Sequence, residues 1–102
     1  MDGRSTLTPD DTRADLAATG FAHVDDHLVA TFSTVDFATA VRLLDAVAIV
    51  ADEMNHHPDV QVGWGRVAFE LSSHDAGGVT GRDVTLARVI RGIADEQGAV
   101  PR

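Results

Sequence analysis

Apolar and polar residues repeat along this chain with two different periods, and the switches between them mark its elements. Near the start, Thr8-Pro9-Asp10-Asp11 has the form of a helix opening. Thr8 can cap, Pro9 suits the first helical position, and Asp11 occupies the capping-box position with its charge toward the positive helix end. A short helix to about Ala18 follows, and Gly20 ends the turn after it. The period then becomes two. Phe21 to Val24 and Leu28 to Thr34 flank the polar turn Asp25-Asp26-His27, which predicts a hairpin. In its second strand Leu28, Ala30 and Phe32 share one face, while Val29, Thr31 and Ser33 share the other.

From Asp36 the spacing is helical. Phe37, Val41, Leu44 and Ala48 form one stripe, widened by Ala40, Leu43, Val47, Val50 and Met54, with Arg42, Asp45 and Asp52 on the exposed edge. Ser33 or Thr34 is the expected cap, and Pro58 is the limit beyond which the helix cannot run. So broad an apolar face exceeds what one sheet contact needs, so part of it is expected to pack on a second subunit. Val60, Val62 and Trp64 then alternate with Gln61 and Gly63, and Val67, Phe69 and Leu71 continue the pattern beyond Gly65-Arg66, giving a second hairpin. After the polar loop Ser72 to Gly78, Thr80-Gly81-Arg82-Asp83 is a second capping box. It opens a helix with Val84, Ala87, Ile90 and Ile93 or Ala94 inward. Residues 1–7 and 98–102 are expected to be flexible ends around one domain over 8–97.

The predicted order is helix, hairpin, helix, hairpin, helix. It defines an α+β fold in which two hairpins merge into a four-stranded antiparallel sheet with three helices on one face. A length of 102 residues allows one core and not two. The balance of 44% hydrophobic and 24% charged residues is that of a globular domain. The net charge of -8, with 8 basic residues that are all scattered Arg, argues against binding nucleic acid. The absence of cysteine excludes disulfides, zinc-thiolate centres and iron–sulfur clusters. The longest apolar run, Ala46 to Ala51, is too short to cross a bilayer, and the first residues lack the apolar core of a secretory signal. The chain therefore reads as soluble and cytoplasmic, with no membrane partner.

Candidate chemistry gathers at the end of the long helix, in Asp52-Glu53-Met54-Asn55-His56-His57-Pro58. Adjacent helical residues project about 100° apart, so His56 and His57 are poorly set to share a metal ion. Proton transfer asks less of geometry, because imidazole changes charge near neutral pH and two or three of them can supply an acid and a base together. A lone histidine there would be a solvated residue near the negative helix end. The pair together with His74, beside Ser72, Ser73 and a glycine-rich loop, favours the functional reading. Asp83 reads as a capping carboxylate, and Trp64 as a core or interface side chain or a flat wall for a planar ligand. Asp52 reads as an orienter of His56 or as merely exposed. His23 and His27 read as hairpin-surface residues.

These residues together resemble the pterin-4a-carbinolamine dehydratase family. The shared pattern is Asp52, His56-His57-Pro58, Trp64, His74 and Asp83, with the family's spacing kept throughout. The segment from Ser72 to Ala87 is similar to the family's second signature, and Phe32 to Ala40 is similar to its strand-to-helix entry. The likeness spans roughly residues 8 to 95. It implies a homodimer or homotetramer that binds a pterin and dehydrates 4a-hydroxy-tetrahydropterin to quinonoid dihydropterin, recycling the cofactor of aromatic amino-acid hydroxylases. It further implies that His56, His57 and His74 line the pterin pocket as catalytic groups, with Asn55, Ser72, Ser73 and Asp75 as walls, and that no cofactor or metal is needed. Two positions depart from the pattern. Asn55 stands where many members carry an acidic residue, and Phe21 replaces a tryptophan. A pure assembly module of the same fold is the alternative, although a scaffold has no need of all three histidines.

Overall fold

A computed structural model describes residues 5–102. The order is α1 (Pro9–Leu16), β1 (Ala22–Val24), β2 (His27–Ser33), α2 (Phe37–Met54), β3 (Asp59–Gly63), β4 (Arg66–Leu71), α3 (Gly81–Gln97) and β5 (Val100–Pro101). The strands form one antiparallel sheet in the order β1-β2-β4-β3, with β5 paired to the far part of β2. Thr8 and Thr80 both close capping boxes, with Asp11 and Asp83 as their third residues. Each hairpin turns through two residues: Asp25, at φ 54°, with Asp26, and Trp64 with Gly65, at φ 74°. Strand β2 therefore begins at His27, one residue earlier than the sequence pattern suggests.

One face of the sheet carries the core. Leu28, Ala30 and Phe32 alternate inward on β2, and Val67, Phe69 and Leu71 do so on β4. Phe32 is fully buried and meets Phe21 at 6.1 Å and the edge of Phe69 at 6.0 Å. Such tilted pairs add about 0.5–1.5 kcal/mol each beyond the area they bury. The helices lay Leu16, then Ala40, Leu43 and Val47, then Leu86, Ala87 and Ile90 over this face.

Three details differ from the sequence reading. The cap of α2 is Asp36, not Ser33 or Thr34. Its carboxylate accepts the Thr39 amide at 2.8 Å and the Thr39 hydroxyl at 2.7 Å, while the Thr34 hydroxyl donates to the Asp36 carbonyl. The buried stripe of α2 is Thr39, Ala40, Leu43, Val47 and Ala51, so the stripe begun by Phe37 and Val41 turns outward. Thirdly, the last residues, expected to fray, contribute β5. Strand β1 covers only residues 27–29 of β2, so the ladder beyond is open to a partner. Gly98 ends α3 in the left-handed region, Ala99 is buried, and Pro101 and Val100 align with Phe32 and Ser33. The Arg102 amide then donates to the Thr31 carbonyl. Of the first seven residues, 1–4 lie outside the described ones, and the Leu7 amide donates to the Val79 carbonyl at 2.8 Å. Among the described residues no helix is long and apolar enough to cross a membrane.

The Thr39 hydroxyl and amide hold the Asp36 carboxyl below its ordinary value of 3.8. Its contribution to stability is thus fully present above that value and is lost as pH falls through the lowered one. Asp36→Ala should melt at a lower temperature than the parent chain at neutral pH. The gap should close as the pH of the melt is taken below the ordinary carboxylate range.

Candidate active site

The start of β3, the end of β4 and the start of β2 lie at one end of the sheet, as the pairing of Asp59 with Glu70 and of Leu28 with Leu71 requires. The candidate residues approach this end from two directions, the exit of α2 and the loop between β4 and α3. The exit is shaped by Asn55, which ends α2 in the left-handed region at φ 51°, ψ 44°. Asparagine tolerates that conformation better than most side chains. The His56 amide returns to the Ala51 carbonyl at 3.0 Å, so the chain reverses sharply and continues outside the helix. His56 is consequently buried at 8% exposure, whereas His57 is exposed. Successive side chains in non-helical, extended chain point to opposite sides, so adjacency in sequence becomes separation in environment.

Asp83 joins the two approaches. Its side chain is fully buried at the start of α3 and accepts three hydrogen bonds. Oδ1 lies 2.5 Å from His56 Nε2, and Oδ2 accepts the Ser73 hydroxyl at 2.8 Å and the Thr80 amide at 2.9 Å. A carboxylate only accepts, so Nε2 is the donor and carries a proton, which leaves Nδ1 as the ring atom not engaged by Asp83. Ser73 has one hydroxyl proton and gives it to Asp83. The Thr80 hydroxyl, 2.8 Å away, is therefore the donor to Ser73 Oγ. The Thr80 oxygen in turn accepts from the Arg82 amide and Nε, so the hydrogen bonds run in one direction from Arg82 to Asp83.

The loop beyond Ser73 is closed by backbone. Ser73 N donates to the Gly78 carbonyl, and the Ser73 carbonyl accepts from Ala76 and Gly77. His74 and Asp75 are exposed on this turn, and Asp75 pairs with Arg82 Nη2 at 2.7 Å. The hydrogen bond to Asp75, chiefly, raises the Arg82 pKa above its ordinary value, so the guanidinium keeps its charge.

The sequence-predicted site residues thus separate into groups. His56, Ser73 and Asp83 are in direct contact, and His57 and His74 each follow a residue held by Asp83. Asp52 does not orient His56; it meets His57 Nε2 at 2.9 Å on the surface. Asn55 serves as the helix C-cap, Pro58 is half-buried before β3, and Ser72 is half-buried just past β4. Trp64 is 73% exposed in the β3–β4 turn, so it is no core side chain. Five residues of β3, about 17 Å of strand, lie between it and the histidine corner. Within one chain it is no wall to His56. Two participants escaped the sequence reading: the buried Thr80 hydroxyl, and Arg82, which spans Thr80 and Asp75. The capping box pointed to Thr80 and Asp83 as a pair, but nothing local shows that this carboxylate has an oxygen left for His56. His23, read as a hairpin-surface residue, is half-buried with Nδ1 2.8 Å from the Thr12 hydroxyl, joining β1 to α1.

Fold and corner together define a small α+β domain in which one buried carboxylate ties His56 to the loop that carries His74. The chain belongs to the family described as pterin 4 alpha carbinolamine dehydratase, whose model matches residues 5–93. A relative from Thermosynechococcus vestitus, named "Putative pterin-4-alpha-carbinolamine dehydratase", is 38% identical over 89 residues, covering 86% of this chain and 94% of that protein. A crystal structure of a transcriptional coactivator/pterin dehydratase from Brucella melitensis superposes with a TM-score of 0.82 at 31% identity. It covers 88% of this chain and 99% of that one. A pterin dehydratase-like protein described as a RuBisCO assembly factor in the alpha-carboxysome shares the fold, with a TM-score of 0.60 at 21% identity over 72% of this chain and 86% of that one.

Removing the Asp83 carboxylate leaves the His56, Ser73 and Thr80 donors without their buried acceptor, at about 1–3 kcal/mol for each group left unpaired. Small domains have only about 5–15 kcal/mol of stability in all. Asp83→Ala should therefore lose several kcal/mol in urea unfolding, near the point at which the chain no longer folds. Ser73→Ala, which removes one donor to Asp83 and leaves only the buried Thr80 hydroxyl without its acceptor, should lose less.

Proposed function

We propose that this chain catalyses the dehydration of a 4a-hydroxy-tetrahydropterin to the quinonoid dihydropterin. Loss of water from a carbinolamine requires a proton delivered to the departing hydroxyl as its C–O bond breaks. A second proton must leave the ring N–H as the new C=N bond forms. Histidines on two sides of a bound pterin can supply both transfers, each typically contributing 10²–10⁴-fold. The observation that carries this reading is the contact between His56 Nε2 and the fully buried Asp83. It fixes the ring of His56, commits its Nε2 proton, and presents Nδ1 as the working atom. His56 accordingly holds or deprotonates the ring nitrogen. His57 or His74, both open to solvent, protonates the hydroxyl and recovers its proton from water. In this reading Asn55, Ser72 and Ser73 lie beside the bound pterin, and the reaction serves the recycling of a tetrahydrobiopterin-type cofactor for aromatic amino-acid hydroxylases.

Stopped-flow dehydration of the carbinolamine tests the assignment. His56→Ala and the more important of His57→Ala and His74→Ala should each slow turnover by about 10²-fold or more. Asp83→Asn keeps acceptor and shape on one side but offers an amide donor, which favours the opposite His56 tautomer. It should slow the reaction by about 10²-fold while remaining folded. Wild-type rates in all three histidine variants would sink the catalytic reading.

The outward row of α2 supports self-association as a homodimer or homotetramer. Ile49 is 60% exposed and Phe37 51%, with Val35 and Val41 exposed beside them. The same row is what a non-catalytic assembly module would use, so the two readings differ in the histidines and not in the helix. Ile49→Asp should shift the sedimentation equilibrium of the chain toward the monomer, whichever reading holds.

A further inference from the structure

We propose that Arg82 is a positioning residue that holds the His74 turn in place by gripping Asp75. The inference rests on the catalytic reading of His74 given above and adds to it a residue from outside the histidine set. Three polar atoms of Arg82 are used at once. Its amide and Nε donate to the Thr80 hydroxyl at 3.3 and 3.4 Å, and Nη2 donates to Asp75 Oδ1 at 2.7 Å. One side chain therefore ties the exposed turn to the row of hydrogen bonds that ends at Asp83 and His56. The backbone of the turn is closed on Ser73, whose carbonyl accepts from Ala76, Gly77 and Gly78 and whose amide donates to the Gly78 carbonyl. His74 and Asp75 stand outside that closure and are exposed. Asp83 holds the residue before His74 through the Ser73 hydroxyl, and Arg82 holds the residue after it through the Asp75 carboxylate. The Arg82–Asp75 pair therefore sets how His74 is presented between them.

The chemistry of the fork makes this specific to arginine. A guanidinium offers Nε and Nη2 in one rigid plane, which reaches a hydroxyl and a carboxylate together. The ammonium of a lysine can meet Asp75 but cannot place a second donor on Thr80 in the same geometry. Arg82 is only partly exposed, at 32% of its side chain, and Asp75 is half-exposed. The pair therefore acts through geometry, and its loss should leave the fold intact. Asp75 thereby takes a different part from a pocket wall: its carboxylate is engaged by Arg82.

The test combines kinetics with the proton NMR signals of the His74 ring, assigned by their disappearance in His74→Ala. In Arg82→Ala, kcat for carbinolamine dehydration should fall by about tenfold, as displacement of a proton-transfer group predicts. KM should stay within about twofold, because the substrate contacts are not removed. The His74 ring signals should shift, and Arg82→Lys should fall between the two. In a His74→Ala background, Arg82→Ala should have no further effect on kcat, since it acts through the ring already removed. Losses that multiply in the double variant overturn the proposal. So do unshifted His74 signals in Arg82→Ala, or an unchanged kcat there while His74→Ala is slow; these outcomes leave the catalytic reading standing. A wild-type chain with no dehydratase activity overturns that reading instead, and the role of Arg82 in turnover with it.

Discussion

A single carboxylate organises the functional end of this molecule. Asp83 caps α3 from within, accepting the Thr80 amide, and the same group receives one proton from the α2 exit and another from the β4–α3 loop. Its full burial makes each contact obligatory, because a donor left without a partner in that environment costs more than the bond contributes. The α2 exit therefore meets the loop that leads into α3 at one point, across 27 positions of sequence. The exposed His57 and His74 take their positions from neighbours that have no freedom of their own. Stability and ring orientation are not separable here, since the group that closes the helix also sets the tautomer of His56.

The family's shared features distribute unevenly over this geometry. The family match runs over residues 5–93 and so takes in both hairpins, the α2 exit and most of α3. Two local departures have readable physical consequences. Phe21, where the family carries tryptophan, packs its ring against Phe32 in the core and leaves the sheet end untouched. Asn55, read from the sequence as a departure from the family pattern, occupies a left-handed helix cap that suits asparagine well.

Much of the architecture was legible in the sequence because local rules decided it. Thr8 and Thr80 announce their helices through residues three positions on, and the period-two runs of both hairpins mark their strands and buried faces. What stayed hidden depends on contacts across the fold. The phase of α2 could not be read, because apolar residues occur on both of its faces and only the sheet decides which is covered. The fifth strand was invisible because it exists only where β1 stops short, a matter of register on β2 and not of propensity at Val100. The pairing of His56 with Asp83 spans 27 positions and has no local signature. The helical angle invoked for His56 and His57 did not apply either, because Asn55 had already ended the helix.

That ending has a consequence for how this corner tolerates change. Between Asn55 and Pro58 the side chains alternate inward and outward, so the two histidines are distinguished by parity alone. A loop of ordinary character accepts a gained or lost residue as a change of length. Here one residue inserted after Asn55 would invert the alternation, turning His56 outward and away from the buried carboxylate. The corner is thus a fixed reading frame written in space, in which a change of length would act as a change of face.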